Sequence, residues 1–157
     1  MKLSLQSFEG QLTDRLTARG IAEPVEIAWA CAWLEACGYP GLKLLVEALG
    51  DQRCDLEFSR DALGIDLKNA SCAFLAPHIM REVSRGGRAF LRNVRHGLYL
   101  LPFTVQANIG IGCPVDPAFA VGGERTKNPY VEKLALAQSG GIAVDDGLWR
   151  LLEVASP

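Results

Sequence analysis

Pro24 to Gly50 reads PVEIAWACAWLEACGYPGLKLLVEALG, and its spacing predicts two helices separated by a turn. Proline suits the first helical position, where its missing N–H has no intrahelical acceptor in any case, so a helix is expected to open at Pro24 and run to Gly38. Only Glu26 and Glu35 are charged in it. Its apolar residues occupy two faces, Val25, Trp29, Ala32 and Ala36 on one and Ile27, Cys31 and Leu34 on the other. A helix apolar on two faces must be covered from two sides, which places it centrally. After the turn Tyr39, Pro40 and Gly41, the residues Leu42, Leu45, Val46 and Leu49 form the stripe of a further helix that ends at Gly50.

Upstream, Leu5, Phe8, Leu12 and Leu16 fall three or four apart, with Ser4 as the cap and Gly20 as the stop. Residues 1–50 therefore read as a helical layer of three elements. From 51 to 60 the chain is polar and reads as a connection. Leu63, Ile65 and Leu67 then alternate with polar or small residues, the period of a half-buried strand. Ser71 to Ala76 reads as a second extended run ended by Pro77, residues 78–85 as a short helix, and Ala89 to Val94 as another strand after the Gly86-Gly87 reversal. Further helices are expected from Pro102 to Gly110, from Asn128-Pro129 to Gly140, and from Asp145 to Leu152, with a short strand at Ile142 to Val144. The expectation is a single α+β domain over 1–157: an N-terminal three-helix layer packed on a small mixed sheet, with the additional helices in 61–157.

Composition narrows the function. The 157 residues are 49% hydrophobic and 22% charged, enough for a core without a disulfide or metal staple. A net charge of -2 gives no long-range pull toward nucleic acid or an anionic membrane. Arg81, Arg85, Arg88, Arg92 and Arg95 are spaced three and four apart, but Gly86-Gly87 interrupts any helix that would gather them, and no aromatic residues interleave them. A solvated edge is the simpler reading, and nucleic acid is not expected as a partner. His96 to Val115 is uncharged, yet two prolines and three glycines make it buried or turning chain and no membrane span. The first ten residues carry no apolar core for a signal peptide, and the five cysteines contain no CxxC pair, so reduced thiols in a cytoplasm are expected.

Several of these segments resemble a known family. SLQSFEGQLTDRLTARGI, AWLEACGYPG, GIDLKNASCAFLAP, VRHGLYLLPF and VDDGLWRLLE are similar to a bacterial family of unknown function, catalogued as an uncharacterised domain, over most of the chain. The resemblance implies a bacterial cytoplasmic protein and transfers no catalytic residue. The resemblance also implies that many members continue past the last helix into a polar, glycine-rich tail, so a function carried by such a tail is expected to be missing here.

Chemistry is expected in Asn93 to Tyr130, where glycines, prolines and polar residues concentrate. Arg125 and Lys127 lead into the helix opening at Asn128, whose first N–H groups lack partners and sit at the positive end of the helix dipole. Two cations beside free donors suit a carboxylate or phosphate, with Arg95 and His96 contributing from a neighbouring turn. The simpler reading is a solvated loop capped by Asn128. The spacing GxxxxGK[ST] of a phosphate loop is absent.

The weaker candidate is Cys113, a thiol between Gly112 and Pro114 that a nearby cation could activate, although most unpaired cysteines are small core residues. With His78 and His96 as the only histidines and no paired-ligand spacing, no metal site and no cofactor are expected. Asp145 and Asp146 read as helix caps. Trp29, Trp33 and Trp149 read as core or as an interface between subunits, which gives the alternative function: a protein-interaction or homo-oligomeric assembly component. No reaction is assigned.

Overall fold

The computed structural model describes residues 1–51, 58–62, 64–86, 90–107 and 130–153, except for the side chains of 84–86. Within them the fold is α+β. Helices α1 (Leu5–Ala18), α2 (Pro24–Ala36) and α3 (Gly41–Gly50) follow one another at the N-terminus, preceded by a two-residue strand β1 (Lys2–Leu3). Strands β2 (Ser59–Asp61) and β3 (Gly64–Asp66), helix α4 (Cys72–Gly86) and strand β4 (Leu91–Arg92) come next. A 3₁₀ turn over Gly97–Leu100 leads into α5 (Leu101–Ala107), and α6 (Tyr130–Gly140), β5 (Ile142–Ala143) and α7 (Asp146–Glu153) complete the described chain.

The central helix lies where the two-faced pattern puts it. Ile27, Ala28, Ala30, Cys31, Ala32, Trp33 and Leu34 are all buried, and α2 packs against α1, α3, α4, α5 and α6. α3 approaches α2 closely at Gly41, where a Cβ would stand 2.9 Å from the Cys31 carbonyl oxygen and from Leu34 Cβ. That contact explains a glycine as the first residue of the helix, where any side chain would clash with α2. In α1, Ser4 Oγ accepts the Ser7 N–H at 3.1 Å, and Phe8, Leu12 and Leu16 form the buried stripe. Asp145 Oδ1 likewise accepts the Leu148 N–H at 2.9 Å and caps α7.

The strands form two small sheets. β1 and β5 pair antiparallel, Lys2 opposite Ala143 and Leu3 opposite Ile142. In the second sheet, β3 lies between β2, antiparallel to it, and β4, parallel to it with Ile65 beside Leu91. α4 is the crossover between the parallel strands, as parallel pairing requires. Ile65, Leu67 and Leu91 join the same apolar core as the helices. Gly64 allows the close approach: its φ is +129°, and a Cβ there would lie 2.0 Å from the Phe90 carbonyl oxygen.

Two expectations are corrected. Ser71 to Ala76 is not extended, and no separate helix begins at 78: α4 starts at Cys72 and passes through Pro77. An interior proline costs about 3 kcal/mol, while burying a large apolar side chain contributes about 1.5–3 kcal/mol. Phe74, Leu75, Ile79 and Val83 are each buried on this helix, so tertiary packing outweighs the lost hydrogen bond. The reading of 51–60 as pure connection also fails at its end, because Ser59–Asp61 is a strand held by β3. Asn128, Pro129 and the segment from Asn108 onward that precedes them lie outside the described residues. No helix among the described residues is long and apolar enough to cross a membrane.

Candidate functional site

Polar groups converge where the chain leaves β4. Residues 65–72 run beside 90–95, with the Ile65 N–H donating to Phe90 O at 2.9 Å, Leu67 N–H to Arg92 O at 3.0 Å and Cys72 N–H to Arg95 O at 2.8 Å. Asp66 fixes the bend between them: its Oδ1 accepts from Asn93 Nδ2 at 2.8 Å and from the Lys68 N–H at 2.9 Å, which holds its carboxyl below the usual range. Asn93 and His96 both adopt left-handed backbone, φ 53° and 55°. The second of these conformations turns the imidazole inward and starts the 3₁₀ turn, in which the Tyr99 N–H donates to His96 O at 3.1 Å.

The imidazole side chain is 8% exposed and has a partner on each nitrogen. Nδ1 lies 2.6 Å from Ser71 Oγ, and Nε2 faces a Glu47 carboxylate oxygen of α3 at 3.4 Å. A carboxylate only accepts, so Nε2 carries the hydrogen; Nδ1 then accepts, and the Ser71 hydroxyl donates to it. Burial pushes the His96 pKa below its ordinary value, and Arg95 pushes it the same way, against the pull of Glu47 and Asp51. A histidine held below its ordinary pKa favours the neutral ring at pH 7. Ser71 is buried as well, and its Oγ also accepts the Ala73 N–H at 3.1 Å as the cap of α4. Next to the ring, Arg95 projects outward and pairs with Asp51 at the end of α3, 2.5 Å apart, with both side chains partly exposed.

A serine, a histidine and a glutamate in this order suggest nucleophilic catalysis, but the start of α4 does not supply the rest of such a site. An acyl-transfer site needs N–H groups free to hold a developing oxyanion. The first four amides of α4 are all engaged: Cys72 with Arg95 O, Ala73 with Ser71 Oγ, and Phe74 and Leu75 with Ser71 O. Among the described residues the arrangement joins α3, the start of α4 and the turn after β4.

Of the predicted anion site, the structure places Arg95 and His96 next to each other in sequence and in space, Arg95 facing Asp51 just past the end of α3 and His96 facing Glu47 on it. Arg125, Lys127, Asn128 and Cys113 lie outside the described residues. Ser71, Glu47 and Asp51 were not singled out from the sequence. Ser71 had a signal, a capping residue directly before an apolar run, which the reading of 71–76 as extended chain concealed.

Of the arginine series, Arg81, Arg92 and Arg95 each pair with a carboxylate, while the side chains of Arg85 and Arg88 lie outside the described residues. Arg81 meets Glu23 at 2.8 Å and Arg92 meets Asp61; outside the series, Arg60 meets Glu82 at 3.6 Å. Cys31, Cys37 and Cys72 are buried, as the apolar runs around them predict, and burial raises the Cys31 and Cys37 thiol pKa values. Among the described residues no three His, Cys, Asp or Glu side chains cluster as metal ligands. The tryptophans serve this chain's own packing. Trp33 lies 4.7 Å from Tyr130, Trp29 lies 5.2 Å from Phe103, and Trp149 stacks on Phe8 at 5.2 Å with the Arg15 guanidinium 4.0 Å over its ring.

No family model, curated protein or solved structure matches the chain. Roles for these residues therefore rest on the geometry alone.

Proposed function

We propose that the protein is a bacterial cytoplasmic module that binds a small anion, a carboxylate or a phosphate, with Arg95 as its anchoring cation in the described residues. On this reading His96 orients the corner as a neutral hydrogen-bonding group, and Arg125, Lys127 and the helix opening at Asn128 supply the remaining positive charge. No reaction is part of the proposal.

The observation that supports it is the Arg95–Asp51 pair. A carboxylate oxygen already sits 2.5 Å from the guanidinium, with Arg95 42% and Asp51 29% exposed. A partly exposed pair of this kind contributes about 0–1 kcal/mol, so a ligand oxygen can take the place of Asp51 at small cost. Asp51 also stands at the negative end of the α3 dipole, where a carboxylate is poorly placed and easily released.

Calorimetric titration with inorganic phosphate and with succinate at fixed ionic strength tests this. Asp51→Asn removes the internal competitor and should tighten binding, by up to about fivefold for 1 kcal/mol. Arg95→Ala should abolish it. Absence of binding at millimolar anion in the Asp51→Asn protein, or equal affinity in the Arg95→Ala protein, would overturn the assignment.

A further inference from the structure

We propose that the Ser71–His96–Glu47 chain is a proton-operated latch, which docks the stretch from β4 to α5 onto α3 and the cap of α4 and loosens when the imidazole is protonated. The device needs no ligand and stands apart from the anion-binding reading.

Its parts come from three places in the chain. Glu47 lies on α3, Ser71 caps α4, and His96 sits at the left-handed residue that turns β4 into the 3₁₀ turn and α5. The ring is thus the one side chain that ties all three together at this corner among the described residues. In the neutral state the hydrogen bonds run in one direction, from the Ala73 N–H to Ser71 Oγ, from the Ser71 O–H to Nδ1, and from Nε2–H toward Glu47. A proton arriving from solvent at Nδ1 makes both members of the 2.6 Å contact donors. The Ser71 hydroxyl must then turn its hydrogen elsewhere, in a residue only 5% exposed. A buried donor that loses its acceptor disfavours the docked arrangement.

The charges around the ring set the direction. Arg95, its neighbour in the chain, opposes a second positive charge, while Glu47 and Asp51 of α3 favour one; α4 presents Ser71, which does not titrate. Burial and Arg95 prevail, so the docked state holds its proton less tightly than the unfolded chain does. A histidine whose folded pKa is depressed leaves the undocked state with more bound protons. Docking is therefore complete above the ordinary histidine range, near about 6.5, and weakens as pH falls through it, by at most about tenfold per pH unit for one proton.

Two amides report the latch directly, Cys72 N–H on Arg95 O and Tyr99 N–H on His96 O. Their hydrogen exchange, corrected for the intrinsic rate at each pH, should show protection falling severalfold between pH 7.5 and 5.0. His96→Asn should abolish the fall, since asparagine tolerates the left-handed backbone and does not titrate. His78→Gln should keep it, which separates the effect from the other histidine, whose pKa burial also lowers. Glu47→Gln removes a group that favours the charged ring in the docked state, so the fall should begin at the same pH, become larger and continue to lower pH. Equal protection at both pH values in the natural sequence, or an undiminished fall in His96→Asn, would overturn the proposal. If His96→Asn does not fold, a total fall in Glu47→Gln no larger than in the natural sequence, followed down to the pH where it levels off, would overturn it equally.

Discussion

Replacing Ser71 by alanine removes two hydrogen bonds at one atom. The Ala73 N–H loses its capping acceptor at 3.1 Å, and His96 Nδ1 loses the hydroxyl donor at 2.6 Å. Loss of a helix cap costs about 1 kcal/mol, and a buried polar atom left without a partner costs about 1–3 kcal/mol. The sum, about 2–4 kcal/mol, is a large part of the 5–15 kcal/mol typical of a domain, yet leaves it folded. Urea unfolding followed by circular dichroism measures it. With a slope of about 2 kcal/mol per molar, the midpoint should fall by roughly 1–2 M while the slope is unchanged. Pairing Ser71→Ala with His96→Asn closes the cycle: the double variant should cost less than the sum of the two single ones by about 1 kcal/mol or more, because both lose the same bond. A midpoint shift below about 0.25 M, or strict additivity, would refute the view that this bond holds the corner.

Other substitutions probe the packing that positions the corner. Tyr99 is fully buried, and its hydroxyl donates to the Gly41 carbonyl at 2.5 Å, so Tyr99→Phe should lower stability by about 0.5–1.5 kcal/mol with no change in circular dichroism at low denaturant. Gly64→Ala places a Cβ 2.0 Å from the Phe90 carbonyl oxygen at a φ of +129°, and the strain and the clash together should cost about 2–4 kcal/mol, seen as a melting temperature roughly 5–15 °C lower. Gly10→Ala is the contrasting case: Gly10 is in mid-helix in α1 with open space around it, so alanine should raise stability by about 0.5–1 kcal/mol in the same thermal assay.

The first three helices were legible because each carries its own apolar stripe and its own stop residue, signals that need only a few neighbouring positions. α4 was hidden because Pro77 is a strong local signal, and the burial that overrides it comes from α2, α3 and α5, distant in sequence. β1 could not be read at all. Two residues, Lys2 and Leu3, have no periodicity, and their partners Ala143 and Ile142 lie at the far end of the chain.

The site divides in the same way. Arg95 and His96 stood out as a charged and a titratable residue in a turning segment. What they do depends on Glu47, Asp51 and Ser71, which the parallel crossover β3–α4–β4 and the packing of α3 on α4 bring to them from 24 to 49 positions away. Spacing along the chain carries no trace of such a meeting. It also could not tell that Trp29 and Trp33, one helical turn apart, would each find a different aromatic partner inside the same chain.

The protonation state of a single ring tests the structural account most directly. Nitrogen-15 NMR of the two imidazoles at pH 7 should show His96 as a neutral ring with hydrogen on Nε2 and a bare Nδ1 accepting from Ser71. A positively charged His96 at that pH, or one exchanging between both neutral tautomers as a solvated imidazole does, would contradict it.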